Sequence, residues 1–331
     1  MNFHLEFSPK PFDTQIRYQH QLFLIGSCFT EQIGNKLSQH KFRVLDNPNG
    51  ILFNPVSIAK SVSSYICNKQ YNETDLFYQN ESWNSWEHHS RFSHPDKSEC
   101  LNKINQSQNT AHQFLKDADW LLITLGSAFV YETSPLAPLQ KESENAIVVA
   151  NCHKVPTDKF NKKLLTVDEV SIALKEMIDE VKVFNPFIKI IFTISPVRHL
   201  RDGFVENNRS KATLIHAVHQ LLTDDIFYFP AYELIIDDLR DYRFYAEDMV
   251  HPNYSATNYV WEKFIACCID EPTQQVMKII HEINAAASHK PFNPASEAHK
   301  AFKNKYLDLC NAMQQKYPYL NLTDEINFFS T

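Results

Sequence analysis

The stretch Leu22-Phe23-Leu24-Ile25-Gly26-Ser27-Cys28-Phe29 decides the fold of this chain. Its four leading apolar residues predict a short buried strand, of the kind that fills the interior of a parallel sheet. The strand ends at Gly26-Ser27, and residues 30–37 predict a helix. A serine between strand and helix lies at the carboxyl edge of an α/β sheet, where its N–H is at the positive end of the helix dipole. A tight turn with a helix cap would explain the same two residues, so this turn alone does not decide the function.

The same alternation of strand and helix recurs along the chain. Apolar runs separated by helical patterns predict further strands at residues 42–45, 120–125, 189–194 and 228–236. Such alternation is typical of an α/β domain with a parallel sheet. The aromatic segment 71–95 predicts an insertion that is more than a connecting loop, whereas residues 133–163 predict mostly loop.

The C-terminal part of the chain has a helical pattern. Apolar residues at helical spacing continue from residue 255 to about residue 288, and after a proline-containing break a last helix extends to about residue 317. We therefore expect a main domain over residues 1–265 and a helical extension over residues 266–331. The extension has one apolar face, which predicts packing either on the main domain or against a second copy in a homodimer.

Composition excludes several classes of partner. A net charge of −7 argues against nucleic acid and anionic membranes, because both call for a basic patch. No apolar run approaches the roughly 20 residues of a membrane span, and the first residues lack the pattern of a signal peptide. The seven cysteines are scattered without a C-x-x-C pair, which fits a reducing compartment. We therefore expect a cytoplasmic protein.

A partner for Ser27 is predicted late in the chain, at Asp248-Met249-Val250-His251-Pro252. A spacing of three residues places the aspartate and the histidine on one side of a loop or helical turn. The aspartate could then orient the imidazole, and the imidazole could take the proton of the serine hydroxyl. A helix cap and a surface histidine would also account for this pair. Together with the Gly-Ser turn, however, the pair favours a serine hydrolase.

Two rival chemistries are less favoured by the sequence. Cys28 would be the better nucleophile if it were ionised, but neighbouring residues at a turn point in different directions, and we expect Cys28 to lie under the helix. Histidines are numerous, yet they lack an H-E-x-x-H motif or a pair spaced by four residues. We therefore expect neither a metal nor another cofactor.

Several blocks of the sequence resemble one known family. Gly26-Ser27-Cys28-Phe29 resembles the signature that gives the GSCFA family its name, with Thr30 in place of the final alanine. Further blocks resemble the same family, in order, at residues 47–55, 83–90, 125–131, 149–154, 195–203 and 248–252. The family is regarded as a relative of the SGNH (GDSL-type) hydrolases. The resemblance therefore implies a three-layer α/β/α fold with a mainly parallel, flavodoxin-like sheet, and hydrolysis of esters, often of acyl groups on sugars or lipids.

The resemblance also implies roles for individual residues. Ser27 matches the nucleophile, His251 the base and Asp248 the residue that orients it. The backbone N–H groups of Ser27 and Gly50 match two donors of the oxyanion hole.

One element of the SGNH pattern is missing. These enzymes carry an asparagine donor in a Gly-x-Asn-Asp block, and here Ala128 stands at that place. Loss of such a donor typically costs about a hundredfold or more in rate. The candidates for its replacement are Asn151, His89 and Ser127.

The remaining blocks supply candidates for substrate binding. Trp86 could stack on a substrate and His89 could make a polar contact, or both could belong to a satellite core and the surface. Ser127, His153 and His199 are further candidates. Arg198 follows a predicted strand and could hold a carboxylate or phosphate, or it could pair with an acidic residue.

Three functions remain open at this level. The first is an esterase or acyl hydrolase acting on a small-molecule or carbohydrate ester. The second is an acyltransferase with the same Ser-His-Asp triad, in which an alcohol replaces water. The third is a binding protein that has lost turnover together with the asparagine.

Overall fold

The computed structural model describes residues 4–134 and 146–330 of the chain. The strands in these ranges are β1 (Gln21–Gly26), β2 (Arg43–Asp46), β3 (Phe77–Gln79), β4 (Ser82–Asn84), β5 (Trp120–Leu125), β6 (Phe129–Thr133), β7 (Phe160–Leu164), β8 (Lys189–Ile194) and β9 (Ile226–Phe229). The helices are α1 (Cys28–Gln39), α2 (Pro55–Ile66), α3 (Lys97–Asp117), α4 (Val167–Phe184), α5 (Phe204–His219), α6 (Ala231–Glu233), α7 (Tyr254–Cys268), α8 (Glu271–Ala287), α9 (Glu297–Lys316) and α10 (Thr323–Ser330).

The central sheet is parallel, and its strands lie in the order β2-β1-β5-β8-β9. Numbered by their sequence within this sheet, the strands follow the order 2-1-3-4-5 of flavodoxin-like proteins. The direction of winding reverses between β1 and β5. In open α/β sheets, ligands bind outside the carboxyl ends of the strands at such a switch point. The expected fold class is therefore confirmed.

Helices cover both faces of the sheet. Strand β1 shows how, because Leu22 and Leu24 belong to one buried cluster while Phe23 and Ile25 belong to another. The first cluster includes side chains of α1, α7, α8, α9 and α10, and the second includes side chains of α2, α3, α4 and α5. The C-terminal helices thus pack on the core of the main domain.

The prediction of a strand over residues 228–236 is wrong beyond Phe229. Pro230 has no N–H to continue a sheet ladder. After it the chain forms α6 and a π-helical turn, Leu234–Asp238, whose Leu234 and Ile235 enter the first cluster.

Two other segments have structure that the sequence patterns did not predict in detail. Within 133–163, predicted as mostly loop, residues 160–163 belong to β7, which pairs antiparallel with β6, and residues 135–145 of that segment lie outside the described residues. The helix expected from 255 to 288 is two helices, because Asp270 caps α8 by accepting the Thr273 N–H. No helix in the described ranges is long and apolar enough to cross a membrane.

Candidate active site

The turn between β1 and α1 is tightly packed against β5. Gly26 has φ +141°, and a β-carbon there would lie 2.2 Å from the Thr124 carbonyl oxygen. Ser27 follows as the N-cap of α1 and is fully buried. Its Oγ accepts the Phe29 N–H at 3.3 Å, and its own N–H donates to the Thr124 oxygen at 3.2 Å. The predicted nucleophile is thus also a helix cap.

The predicted Asp–His pair forms within a single loop. Oδ2 of Asp248 lies 2.6 Å from His251 Nδ1, and its Oδ1 accepts the N–H groups of Val250 at 2.9 Å and of His251 at 3.0 Å. These hydrogen bonds, from the His251 backbone and ring first, lower the pKa of Asp248 to about 2. The carboxylate therefore stays ionised and holds the ring by Nδ1. No described residue forms a hydrogen bond with Nε2.

The loop after β8 joins this Asp–His loop. The Arg198 N–H donates to the Val250 oxygen at 3.1 Å, which brings the next residue, His199, close to His251. Nε2 of His199 is buried, has no hydrogen-bond partner among the described residues and lies 3.3 Å from where a β-carbon of Gly126 would be. Burial, and then the nearby Lys211 and His251, lower the pKa of His199 to about 3, so its imidazole is neutral.

Lys211 is a member of the site that the sequence motifs did not indicate. It is buried on α5, and its Nζ donates to the carbonyl oxygens of Gly126 and Ser195 at 2.7 Å each. Burial lowers its pKa to about 7. One signal could have revealed it: Lys211 shares the buried face of α5 with Leu214 and Val218, at helical spacing.

Cys28 does not have the properties of a nucleophile. The side chain is partly buried, and burial raises the pKa of its thiol. A raised pKa keeps the sulfur protonated near neutral pH, and the thiol is far less nucleophilic than the thiolate.

The two predicted backbone donors of the oxyanion hole are engaged within the protein. Besides the Ser27 N–H, which bonds to Thr124, the Gly50 N–H donates to the Asn47 oxygen at 2.7 Å. His89 packs directly on Gly50, since a β-carbon on that glycine would lie 2.2 Å from His89 Cβ. In this conformation neither N–H is free for a substrate.

The residues suggested as replacements for the asparagine are likewise engaged. Ser127 Oγ accepts the Phe129 N–H at 3.0 Å. Asn151 Oδ1 accepts the His153 N–H at 2.8 Å, and His89 Nδ1 accepts the Arg91 N–H at 3.3 Å. Each side chain stabilises its own loop, as these residue types often do.

Of the two alternatives for Trp86, the structure favours the satellite core over a substrate-stacking surface. Its ring stacks on Phe77 at 3.8 Å between centroids, and only 5% of the residue is exposed. His153 is buried beside it and contacts the Ser85 carbonyl oxygen through Nε2 at 2.8 Å. Packing against the β3–β4 hairpin, rather than ligand contact, accounts for these aromatic side chains.

The described residues contain no group of three or more His, Cys, Asp or Glu side chains arranged to hold a metal ion. The fold and the site together define a class: a flavodoxin-like α/β protein with a serine at its first strand-to-helix turn and an Asp–His pair late in the chain. The chain belongs to the GSCFA family, whose model matches residues 21–264. A second model, the C-terminal domain of GSCFA domain proteins, matches residues 280–331.

The chain was also compared with individual proteins. No curated protein matches the chain. Among solved structures it is similar to a carbohydrate esterase family 3 from Talaromyces cellulolyticus, with 9% identity and a TM-score of 0.36. It is also similar to an acetyl esterase mutant with an acetate ion, with 9% identity and a TM-score of 0.35. Each comparison covers 80% of this chain and 99% of the other.

Proposed function

We propose that this chain is an SGNH-like serine esterase that cleaves O-acyl esters, such as those of acylated carbohydrates, with Ser27, His251 and Asp248 as its catalytic residues. The hydrogen-bonded Asp248–His251 pair is the observation that carries the proposal. The ionised carboxylate fixes the imidazole by Nδ1 and leaves Nε2 to accept a proton. Membership of the GSCFA family supports the same roles.

In the proposed reaction, Ser27 Oγ bonds to the acyl carbon while its proton passes to His251 Nε2. Asp248 stabilises the resulting imidazolium, which then protonates the alcohol oxygen as the C–O bond breaks. Water, deprotonated by the same imidazole, hydrolyses the acyl-serine. Because Ser27 is fully buried and its Oγ accepts the Phe29 N–H, the site must open and this oxygen must turn before it can react.

We assign the role of the missing asparagine to His199. Its buried Nε2 forms no hydrogen bond within the part of the chain that the structure describes, and it lies beside Gly126, in the block where Ala128 replaces the asparagine. A neutral imidazole with its proton on Nε2 can donate to a developing oxyanion, as an amide does. Like Ser27, this nitrogen is shielded from solvent, and it would meet a substrate only when the site opens.

One specific observation favours a second candidate, a binding protein without turnover. Ser27 is buried, and the N–H groups of Ser27 and Gly50 both bond to main-chain carbonyl oxygens. A site that remains closed in this way could bind a ligand at its surface without attacking it.

A fluorophosphonate probe, followed by mass spectrometry of the labelled peptide, separates the two candidates. An esterase should be labelled at Ser27, and Ser27→Ala should lose both the label and the hydrolysis of p-nitrophenyl acetate. Ser296→Ala is the matched control, because Ser296 caps α9 in the same way, far along the chain.

Each outcome has a definite meaning. If Ser296→Ala keeps full activity, loss of a helix cap does not explain the Ser27→Ala result. Absence of label and of hydrolysis in the unmodified protein would reject the esterase. Labelling of Ser27 without hydrolysis, with acyl transfer to an added alcohol or sugar, would identify an acyltransferase instead.

A further inference from the structure

Arg198 is a cation with no counter-ion among the residues that the structure describes. No carboxylate in the described ranges forms an ion pair with it, and its Nη1 is buried without a hydrogen-bond partner. A buried donor that is left unpaired costs free energy, and the cost is larger when the group is charged. Proteins therefore rarely bury such a group unless a ligand or water pairs with it.

Aromatic rings fix the guanidinium without neutralising it. The guanidinium carbon lies 3.9 Å from the centroid of the Tyr245 ring and 5.1 Å from that of Tyr242. Stacking of this kind orients the guanidinium plane and stabilises the cation modestly. The hydroxyl of Tyr245 is also buried, and its interaction with the neighbouring Arg198 opposes the rise in its pKa that burial causes. Arg198 Nη1 and the Tyr245 hydroxyl thus lie side by side, and neither forms a hydrogen bond with any other described residue.

The acidic groups of the adjoining helical segment are already held by other residues. Tyr232, whose pKa responds to Arg198, lies on α6 near Glu233 and Asp237. Glu233 accepts the Tyr228 hydroxyl at 2.8 Å, and Asp237 pairs with Arg240. These carboxylates therefore do not neutralise the charge of Arg198.

The position of Arg198 connects it to the proposed chemistry. Its N–H donates to the carbonyl oxygen of Val250, the residue before His251. The residue that follows Arg198 in the chain is His199, to which we assign the role of oxyanion donor. In a chain with a net charge of −7, an unpaired cation at this point marks a local preference for negative charge.

We propose that the substrate of this site is an ester that also carries an anionic group, a carboxylate or a phosphate, which Arg198 and the Tyr245 hydroxyl bind while the acyl group meets Ser27. This inference rests on the proposed function and specifies its substrate class. Arginine is suited to this contact because its planar guanidinium can donate two parallel hydrogen bonds to the oxygens of a carboxylate or a phosphate. Both anions present the same oxygen chemistry, so the experiment must separate them.

The test compares acetyl esters of phenols whose para substituent is either anionic or neutral. The probes are 4-acetoxybenzoate, its neutral amide 4-acetoxybenzamide, and 4-acetoxyphenyl phosphate. We expect kcat/KM for at least one anionic ester to exceed that of the amide by about tenfold or more, as charge-assisted hydrogen bonds allow. The preferred anion then identifies the carboxylate or the phosphate.

Variants of Arg198 test whether this residue causes the preference for anionic esters. In Arg198→Gln the ratio of anionic to neutral kcat/KM should fall toward one, mainly through a higher KM for the anionic ester. Arg198→Lys should keep part of the preference, because lysine retains the positive charge but cannot make the paired hydrogen bonds of a guanidinium. Arg201→Gln, an exposed arginine on the same loop, is the matched control and should keep the ratio of the unmodified protein. Added salt should also reduce the preference.

Binding measurements separate failure of this inference from failure of the proposed function. Calorimetry with the Ser27→Ala variant reports binding of the three esters without turnover. Hydrolysis of all three esters at equal efficiency would overturn the anionic substrate and leave the esterase intact. Arg198-dependent binding of an anionic ester by a protein that hydrolyses none of them would reject the esterase and retain the anion site. If Arg198→Gln keeps the preference, Arg198 only clamps the loop through Tyr245, and the proposal is wrong.

Discussion

The two histidines of the candidate site differ in the state of their ring nitrogens. His251 is held through Nδ1 by the ionised carboxylate of Asp248, and no described residue forms a hydrogen bond with its Nε2. His199 has no such partner, and its low pKa keeps it neutral. The proposed roles follow from this difference in contacts: His251 Nε2 accepts the serine proton, and the neutral ring of His199 donates a hydrogen bond.

We expect His199→Ala to lower kcat for a neutral acetyl ester by roughly a hundredfold, because removal of a single oxyanion donor typically has this effect. KM should change little, since the contact strengthens only in the transition state. His199→Gln, which keeps an N–H donor, should recover part of kcat. His216→Ala, at an exposed position of α5, serves as the control. A raised KM with an unchanged kcat would show that His199 binds substrate and does not stabilise the oxyanion.

At this scale, sequence predicts pairs that are close along the chain better than clusters assembled by the fold. Asp248 and His251 are three residues apart, so their loop could form the hydrogen bond locally. Lys211 and His199 are brought to Gly126 by different loops and helices. Their altered pKa values arise from burial, which depends on everything packed around them.

Among the elements, β1 with its turn is the part that the sequence defines most fully. Four apolar residues, a glycine and a capping serine each predict the structure that is observed. The hairpin of β6 and β7 was missed because β7 is Phe-Asn-Lys-Lys-Leu, with apolar residues only at its ends. Such a strand is half exposed and does not show strict alternation. Strand β9 ends at Phe229, directly before Pro230, which has no N–H to continue the ladder.

We expect Gly26→Ala to destabilise the protein more than Gly203→Ala does. Both glycines have positive φ, at +141° and +93°, so alanine costs roughly 1–2 kcal/mol of backbone strain at either site. Only at Gly26 would the new carbon also collide with backbone, 2.2 Å from the Thr124 oxygen, while nothing lies within 4 Å at Gly203. Urea unfolding of both variants measures the difference. Equal losses of unfolding free energy would show that β1 and β5 can separate at little cost.

At the scale of the whole molecule, the sheet divides the core into two clusters with different partners. One face packs on α2 to α5, and the other on α1 together with the C-terminal helices. The candidate site lies at the carboxyl edge between these layers. Its loops are therefore supported from both sides, by Lys211 of α5 on one and by the N-terminus of α1 on the other.

The fold also buries a histidine outside the site, and this sets how stability depends on pH. His88 is fully buried, with Nδ1 2.9 Å from the Ser85 hydroxyl, and burial lowers its pKa to about 3. The unfolded chain keeps a histidine pKa near 6.5, so between pH 6.5 and 3 it binds more protons than the folded protein does. The free energy of unfolding should therefore fall as pH falls through this window, by about 1.4 kcal/mol per pH unit from this one group.

Urea unfolding measured from pH 7 to pH 4 gives the slope of the unfolding free energy against pH. This slope should be shallower by that amount in His88→Asn, whereas His216→Asn, at an exposed position, should leave it unchanged. An equal slope in His88→Asn and the unmodified protein would mean that other groups cause the acid sensitivity.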